Sequence, residues 1–184
     1  MQNEQASRTA LLIAASLVLL HHDPKHSGLV SKTSADLCAQ MLETYSPQTR
    51  LFLKIVRRSW FRTIAKAVER ITIPGILLHY ALRKKCIARV GRAALSSGTA
   101  QVVVIGAGFD SLSFELSREF HAAQFWEIDH PQTKRSKSRA FPKVDTERFH
   151  LLATDLTLTP LDATRLIESG FDPVQPHFGW PRVS

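Results

Sequence analysis

Apolar residues recur every three to four positions through the first hundred residues, then give way to short continuous runs. The first regime predicts helices. One is expected over residues 7–21, built on the apolar run Ala10 to Leu20, with Ser7 and Thr9 as caps and Pro24 as its stop. A second is expected over 34–44, capped by Ser34. A longer one is expected over 48–71, because Leu51, Phe52, Ile55, Val56, Trp60, Ile64, Val68 and Ile71 keep near-helical spacing. Pro74-Gly75 breaks it. A fourth, over 76–96, carries Ile76, Leu77, Tyr80, Ile87, Val90 and Leu95, and Gly98 suits the position just past its end.

After Gly98 the pattern alternates strand and helix. Strands are expected over 101–105, 123–128 and 149–153, and helices over 111–121, 131–140 and 161–169. Pro131 fits the first turn of its helix, and Gly170 stops the last one. Three strands with intervening helices make half of a doubly wound α/β sheet. The chain therefore divides into a helical segment, 1–98, and a partial Rossmann-like domain, 99–184.

Composition narrows the partners. At 184 residues and 44% hydrophobic, the chain can bury one real core. A net charge of +8 and a pI near 9.9 would admit an acidic partner. Its basic clusters (Arg57-Arg58, Arg83-Lys84-Lys85, Lys134 to Arg139) are scattered and not interleaved with aromatics, so a solvated surface is expected and no nucleic acid. The run Ala10 to Leu20 is too short to span a bilayer and has no cleavage site after it, so no membrane is expected either. Cys38 and Cys86 form no CxxC pair, which reads as a reduced, cytoplasmic protein. His21, His22 and His26 have no acid or cysteine at ligand spacing, so no metal is expected.

The chemistry is concentrated in two segments. QVVVIGAGFDS, residues 101–111, runs from an apolar strand into Gly106-Ala107-Gly108. FWEIDH, residues 125–130, is a second apolar run ending in the acid Asp129. Strand, glycine turn, helix, strand and acid form a nucleotide-binding βαβ unit, with the ligand beyond the carboxyl ends of the strands. The third glycine of the dinucleotide fingerprint is missing, because Ser111 stands there. Asp110 would also repel a phosphate beside the loop. A ligand with ribose and an amino group but no phosphate suits the loop better, and S-adenosyl-L-methionine is one.

VVVIGAGFDS, FWEIDHPQTKRSK and HLLATDLT together resemble the S-adenosylmethionine-dependent O-methyltransferases of the leucine carboxyl methyltransferase family, and within it the bacterial branch. The opening SRTALLIAASLVLL and the segment Leu82-Arg83-Lys84 resemble its first helix and its arginine-bearing helix, so the likeness covers most of the chain. The Asp-His-Pro block is its most specific part. The resemblance implies a Rossmann-like class I methyltransferase fold, first half only, with an N-terminal helical cap. It implies that Gly106 and Gly108 admit the methionine part and that Asp129 accepts the ribose hydroxyls. It implies that Asp155 binds the adenine amino group while the Leu156 N–H meets a ring nitrogen, and that Arg83 pairs with the methionyl carboxylate. The residues alone leave blander roles open: Asp129 and Asp155 as caps of the next turns, Arg83 on a solvated helix face.

Two departures from the family pattern matter. Ser111 replaces a threonine but keeps the hydroxyl. After Gly170-Phe171-Asp172-Pro173 the sequence leaves the pattern, and its last six residues read as a premature or frame-shifted end. On that reading the fourth strand is missing, the 101–105 strand is an open edge, and the chain is inactive and marginally stable. The implied reaction is methyl transfer from S-adenosylmethionine to an oxygen, by analogy the carboxylate of a small molecule or peptide. It needs no general base, so no catalytic residue is expected. Two alternatives stay open: an inactive fragment or cofactor-binding module, and a nicotinamide-dependent oxidoreductase. The methyl acceptor and the oligomeric state are not legible.

Overall fold

A computed structural model describes residues 8–141, 145–156, 158 and 163–180. Eight α-helices, one 3-10 turn and four strands are present among them. The helical segment comprises α1 (Arg8–His21), α2 (Lys32–Tyr45), α3 (Pro47–Val56), α4 (Ser59–Thr72) and α5 (Ile76–Ser96), with the 3-10 turn at Ser27–Leu29. The remainder alternates β1 (Gln101–Ile105), α6 (Leu112–Glu119), β2 (Gln124–Asp129), α7 (Pro131–Ala140), β3 (Phe149–Ala153), α8 (Ala163–Glu168) and β4 (His177–Trp180).

Local chemistry sets most boundaries. Ser31, not Ser34, is the N-cap of α2, and its hydroxyl accepts the Ser34 N–H at 3.0 Å. The expected cap Ser7 lies outside the described residues. The expected long helix is two helices. α3 starts at a capping box in which Ser46 and Thr49 satisfy each other's backbone N–H groups, with Pro47 in the first turn. It ends at Arg57, and Arg58 turns extended (ψ 139°) before α4 begins. No glycine or proline marks this break. Leu53 and Val56 on α3 are buried, whereas no residue of α4 is. Trp60, Ile64, Val68 and Ile71 stay exposed, while Lys66 pairs with the buried Asp23 at 2.9 Å. The apolar stripe of α4 therefore faces outward and does not extend the buried face of α3. At Gly75 (φ +81°) the chain reverses into α5, a conformation that costs side-chain-bearing residues more than glycine.

All four strands are parallel, in the order β3-β2-β1-β4. This corrects the expectation of three strands and an open β1 edge. β4 pairs with β1 from Gln101↔His177 to Val104↔Trp180, and β4 itself is the edge. A buried side chain holds this return. The Gln101 amide donates to the Asp172 carbonyl at 2.7 Å and accepts the Asp172 N–H at 2.8 Å. Residues around the expected terminal irregularity thus complete the ladder on both sides of β1.

The sheet's pleat divides the core. Val102, Val104, Phe125 and Phe149 join one cluster with α1, α2, α3, α5, α6 and α7. Val103, Trp126 and Ile128 face the other side with Leu166 of α8 and, at its margin, Phe171. Trp126 Nε1 donates to Ser169 Oγ at 2.9 Å, satisfying its polar end. One buried cluster thus runs from the helical segment into the sheet.

Candidate functional site

The carboxyl ends of β1 and β2 are joined by the glycine turn. Gly106 (φ +67°) donates its N–H to the Ile128 carbonyl at 2.7 Å, extending the ladder by one bond. Gly108 (φ +58°) donates its N–H to Asp129 Oδ2. Asp129 is the last residue of β2, and its Oδ1 accepts the His130 N–H at 2.7 Å. The capping role left open for Asp129 is partly true, but the N-cap of α7 is His130, whose ring accepts the Gln132 N–H. Two of the carboxylate's roughly four lone-pair sites are used inside the protein, which leaves acceptor capacity for two hydroxyls.

β3 places the second acid beside the first. The Thr154 N–H donates to the Asp129 carbonyl at 2.8 Å, and Asp155 follows at once. Asp155 Oδ2 lies 3.8 Å from His130 Nε2, and both side chains are about a quarter exposed (28% and 25%). Leu156 is partly exposed beyond it. Gly106, Gly108, Asp129, Asp155 and Leu156 therefore share one end of the sheet. His130 joins them as a residue to which the sequence reading gave no role, although it sits inside the Asp-His-Pro block.

Three helices of the N-terminal segment press on the same turn. A Cβ on Gly108 would come 2.9 Å from the Ala10 Cβ of α1. Phe109 is buried against α2, edge-on to Tyr45 at 5.4 Å, with Cys38 Sγ donating to its carbonyl at 3.6 Å. Burial pushes the Cys38 thiol up to about 11, so it is no nucleophile at neutral pH. Lys84 of α5 reaches Asp110 at 2.8 Å and Ser111 at 2.9 Å. Arg83, expected to face the cofactor, is half-buried one position earlier on α5.

The electrostatics revise one sequence argument. Burial would raise the Asp110 carboxyl, but the Lys84 ammonium overrides it and holds the group below its ordinary range. Asp110 is thus a paired carboxylate, and its repulsion of a nearby phosphate is largely offset. The missing third glycine stands as the remaining sequence evidence against a dinucleotide. Ser111 is fully buried there, with its hydroxyl donating to Glu115 at 2.7 Å.

A second ionic group braces the site from below. Glu127, two residues before Asp129, is paired with Lys137 of α7 at 2.5 Å, both side chains fully buried. Ser113 of α6 donates to the other Glu127 oxygen. Burial pushes the Glu127 carboxyl up, against the pull of Lys137 and Ser113. One carboxylate so ties β2, α6 and α7 together. A groove of about 570 Å³ between α2, α5 and α6, lined by Ser34, Lys84, Glu115 and Arg118 among others, lies behind the turn and includes none of the five residues at the strand ends.

The turn, the acid after β2 and the acid after β3 are the features that the family pattern brings together. The family profile of leucine carboxyl methyltransferase matches residues 5–180. The chain belongs to the leucine carboxyl methyltransferase family. A comparison with curated proteins found no match. Membership makes this a methyltransferase fold, and the four-stranded parallel sheet with its flanking helices agrees with a partial Rossmann-like domain of that kind. No helix among the described residues is long and apolar enough to cross a membrane.

Proposed function

We propose that this member of the leucine carboxyl methyltransferase family takes S-adenosyl-L-methionine at the glycine turn and methylates an oxygen, most simply the carboxylate of a small molecule or peptide. One observation carries the reading. Asp129 ends β2 with acceptor capacity to spare, while its other contacts hold the turn that a cofactor would lie against. Both glycines have positive φ, so the turn's backbone is open to close approach, though Gly108 also has α1 behind it. These residues fit a ribose and a short amino-acid tail.

When bound, the sulfonium supplies an already activated methyl group. The protein's residues have only to bind, orient and exclude water. Asp129 would fix the ribose, and Asp155 with the Leu156 N–H the adenine. Arg83 would face the methionyl carboxylate as a charge-assisted fork. A carboxylate acceptor would bring its own electron pair to that methyl group, so the protein's residues would have no proton to remove. That balance explains why neither sequence nor structure needs a base here. Cys38 and Cys86 are both free thiols, which supports a cytoplasmic setting.

The test is a pair of calorimetric titrations, S-adenosylhomocysteine and NAD, followed by transfer of labelled methyl to candidate carboxylates. Binding of the first alone supports the reading. Binding of NAD alone would return the chain to the oxidoreductase alternative. Cofactor binding without transfer to any acceptor would leave a binding module.

A further inference from the structure

We infer that Lys84 is a positioning residue for the cofactor turn, because its ammonium gathers the loop (Asp110, Ser111), α2 (Ser34) and α6 (Glu115) at one point. This rests on the reading that the turn takes S-adenosylmethionine, and it goes further by naming what holds the turn in its binding shape.

The geometry is convergent. Lys84 Nζ lies 2.6 Å from Ser34 Oγ, 2.8 Å from Asp110 Oδ1, 2.9 Å from Ser111 Oγ and 3.4 Å from Glu115 Oε1. An ammonium has three N–H groups, so the three short contacts use them all and Glu115 completes the charge balance. The side chain is 13% exposed. Burial opposes its charge, but Asp110 and Glu115 more than offset that and raise the group above its ordinary range.

The turn is pinned at two points, Gly108 and Asp110, only two residues apart in its own chain. The Asp110 N–H donates to the Ala107 carbonyl at 3.1 Å, closing the turn, and Asp110 Oδ1 also accepts the Leu112 N–H at 3.0 Å, opening α6. Gly108 is held to Asp129 on the ligand side, and Asp110 to Lys84 on the opposite side. Without Lys84 the second pin carries an uncompensated charge. Asp110 and Glu115 then repel each other and seek water, and the Gly108 amide moves with them. Lys84 touches no residue of the ligand side directly, so it acts through Asp110.

The experiment titrates S-adenosylhomocysteine into the full chain as wild type, Lys84→Met, Asp110→Asn, the double variant and Lys85→Met. Lys85 is the adjacent control; its ammonium donates to the Gly28 carbonyl at 3.1 Å, away from the turn. Lys84→Met should bind about tenfold to a hundredfold more weakly, the size of loss that a displaced positioning group produces. Lys85→Met should stay within about twofold. In the Asp110→Asn background, Lys84→Met should cost less than about twofold more, and the Gly108 amide resonance should shift on Lys84→Met. A folded Lys84→Met that binds like wild type overturns the inference while leaving the cofactor reading intact. An equal loss in both backgrounds overturns it too, since general loosening would act without Asp110. A wild type that binds no S-adenosylhomocysteine overturns the cofactor reading and this inference with it. If Lys84→Met fails to fold, Lys84→Arg replaces it. That variant keeps the charge, but a planar guanidinium cannot serve oxygens converging on one point. It should still lose about tenfold, and wild-type affinity there would also overturn the proposal.

Discussion

Replacing Asp129 by Asn looks mild, because shape is kept and only the charge is lost. The structure says otherwise. Both carboxylate oxygens are accepting backbone N–H groups, Gly108 on Oδ2 and His130 on Oδ1. Asn has one acceptor oxygen. Whichever N–H keeps it, the other faces an NH2 group, donor against donor. One charge-assisted bond is lost, about 1.5–3 kcal/mol. Asp129 is half-buried, so water can relieve part of this, and the lower half of that range applies, about 1.5–2 kcal/mol. For a chain of this length that corresponds to a fall in Tm of roughly 3–8 °C. Urea unfolding reads the stability loss, and titration with S-adenosylhomocysteine reads the ligand loss. Asp129→Ala removes both bonds and should cost more on each measure. If Asp129→Asn unfolds at the wild-type midpoint, its oxygens do not hold the turn. If the folded variant also binds the ligand normally, Asp129 has no ribose role.

Three further outcomes follow from the same geometry. Gly108→Ala should lose about 1–2 kcal/mol, from the left-handed φ and from the approach to Ala10; combined with Ala10→Gly, thermal melts should show a smaller loss than the sum, and strict additivity would mean α1 does not press on the turn. Lys137→Met should cost about 3–5 kcal/mol at neutral pH by leaving Glu127 buried and unpaired. Because burial raises the Glu127 carboxyl in the folded state, its penalty appears as pH climbs above the unfolded value near 4.5, so the variant should melt higher at pH 5 than at pH 8; the reverse order would refute the assignment. Burial would raise Asp23, but hydrogen bonds from His26 and Lys66 overcome it and bring the carboxyl down to about 2. Its stabilisation of α4 is therefore present above pH 3.8 and lost as pH falls through about 2, so Asp23→Asn should be less stable than wild type at pH 6 and nearly equal to it near pH 2.

Local sequence pattern located α5, β1, α7 and β3 at their observed limits, because each carries its own start and stop chemistry: Gly75 and Gly98 around α5, Pro131 at the head of α7, continuous apolar runs for the strands. The glycine turn and the acid after β2 were legible for the same reason. They are adjacent to strand ends, and a parallel βαβ unit brings those ends together whatever else the chain does. Other features depend on contacts between residues far apart in sequence, and no local pattern encodes them. The break at Arg57-Arg58 has no glycine or proline to mark it; before it α3 buries Leu53 and Val56, while after it α4 touches the core only through the partly buried Phe61 and Ala65. β4 looked like a departure from pattern, yet Gln101 meets Asp172 across 71 residues and closes the sheet. Ser34 read as a cap, but its hydroxyl meets Lys84 instead. Lys84 itself was indistinguishable from its basic neighbours Arg83 and Lys85. Helical phase decided which of the three turns toward the loop, and the packing of α5 against α1 and α6 sets that phase.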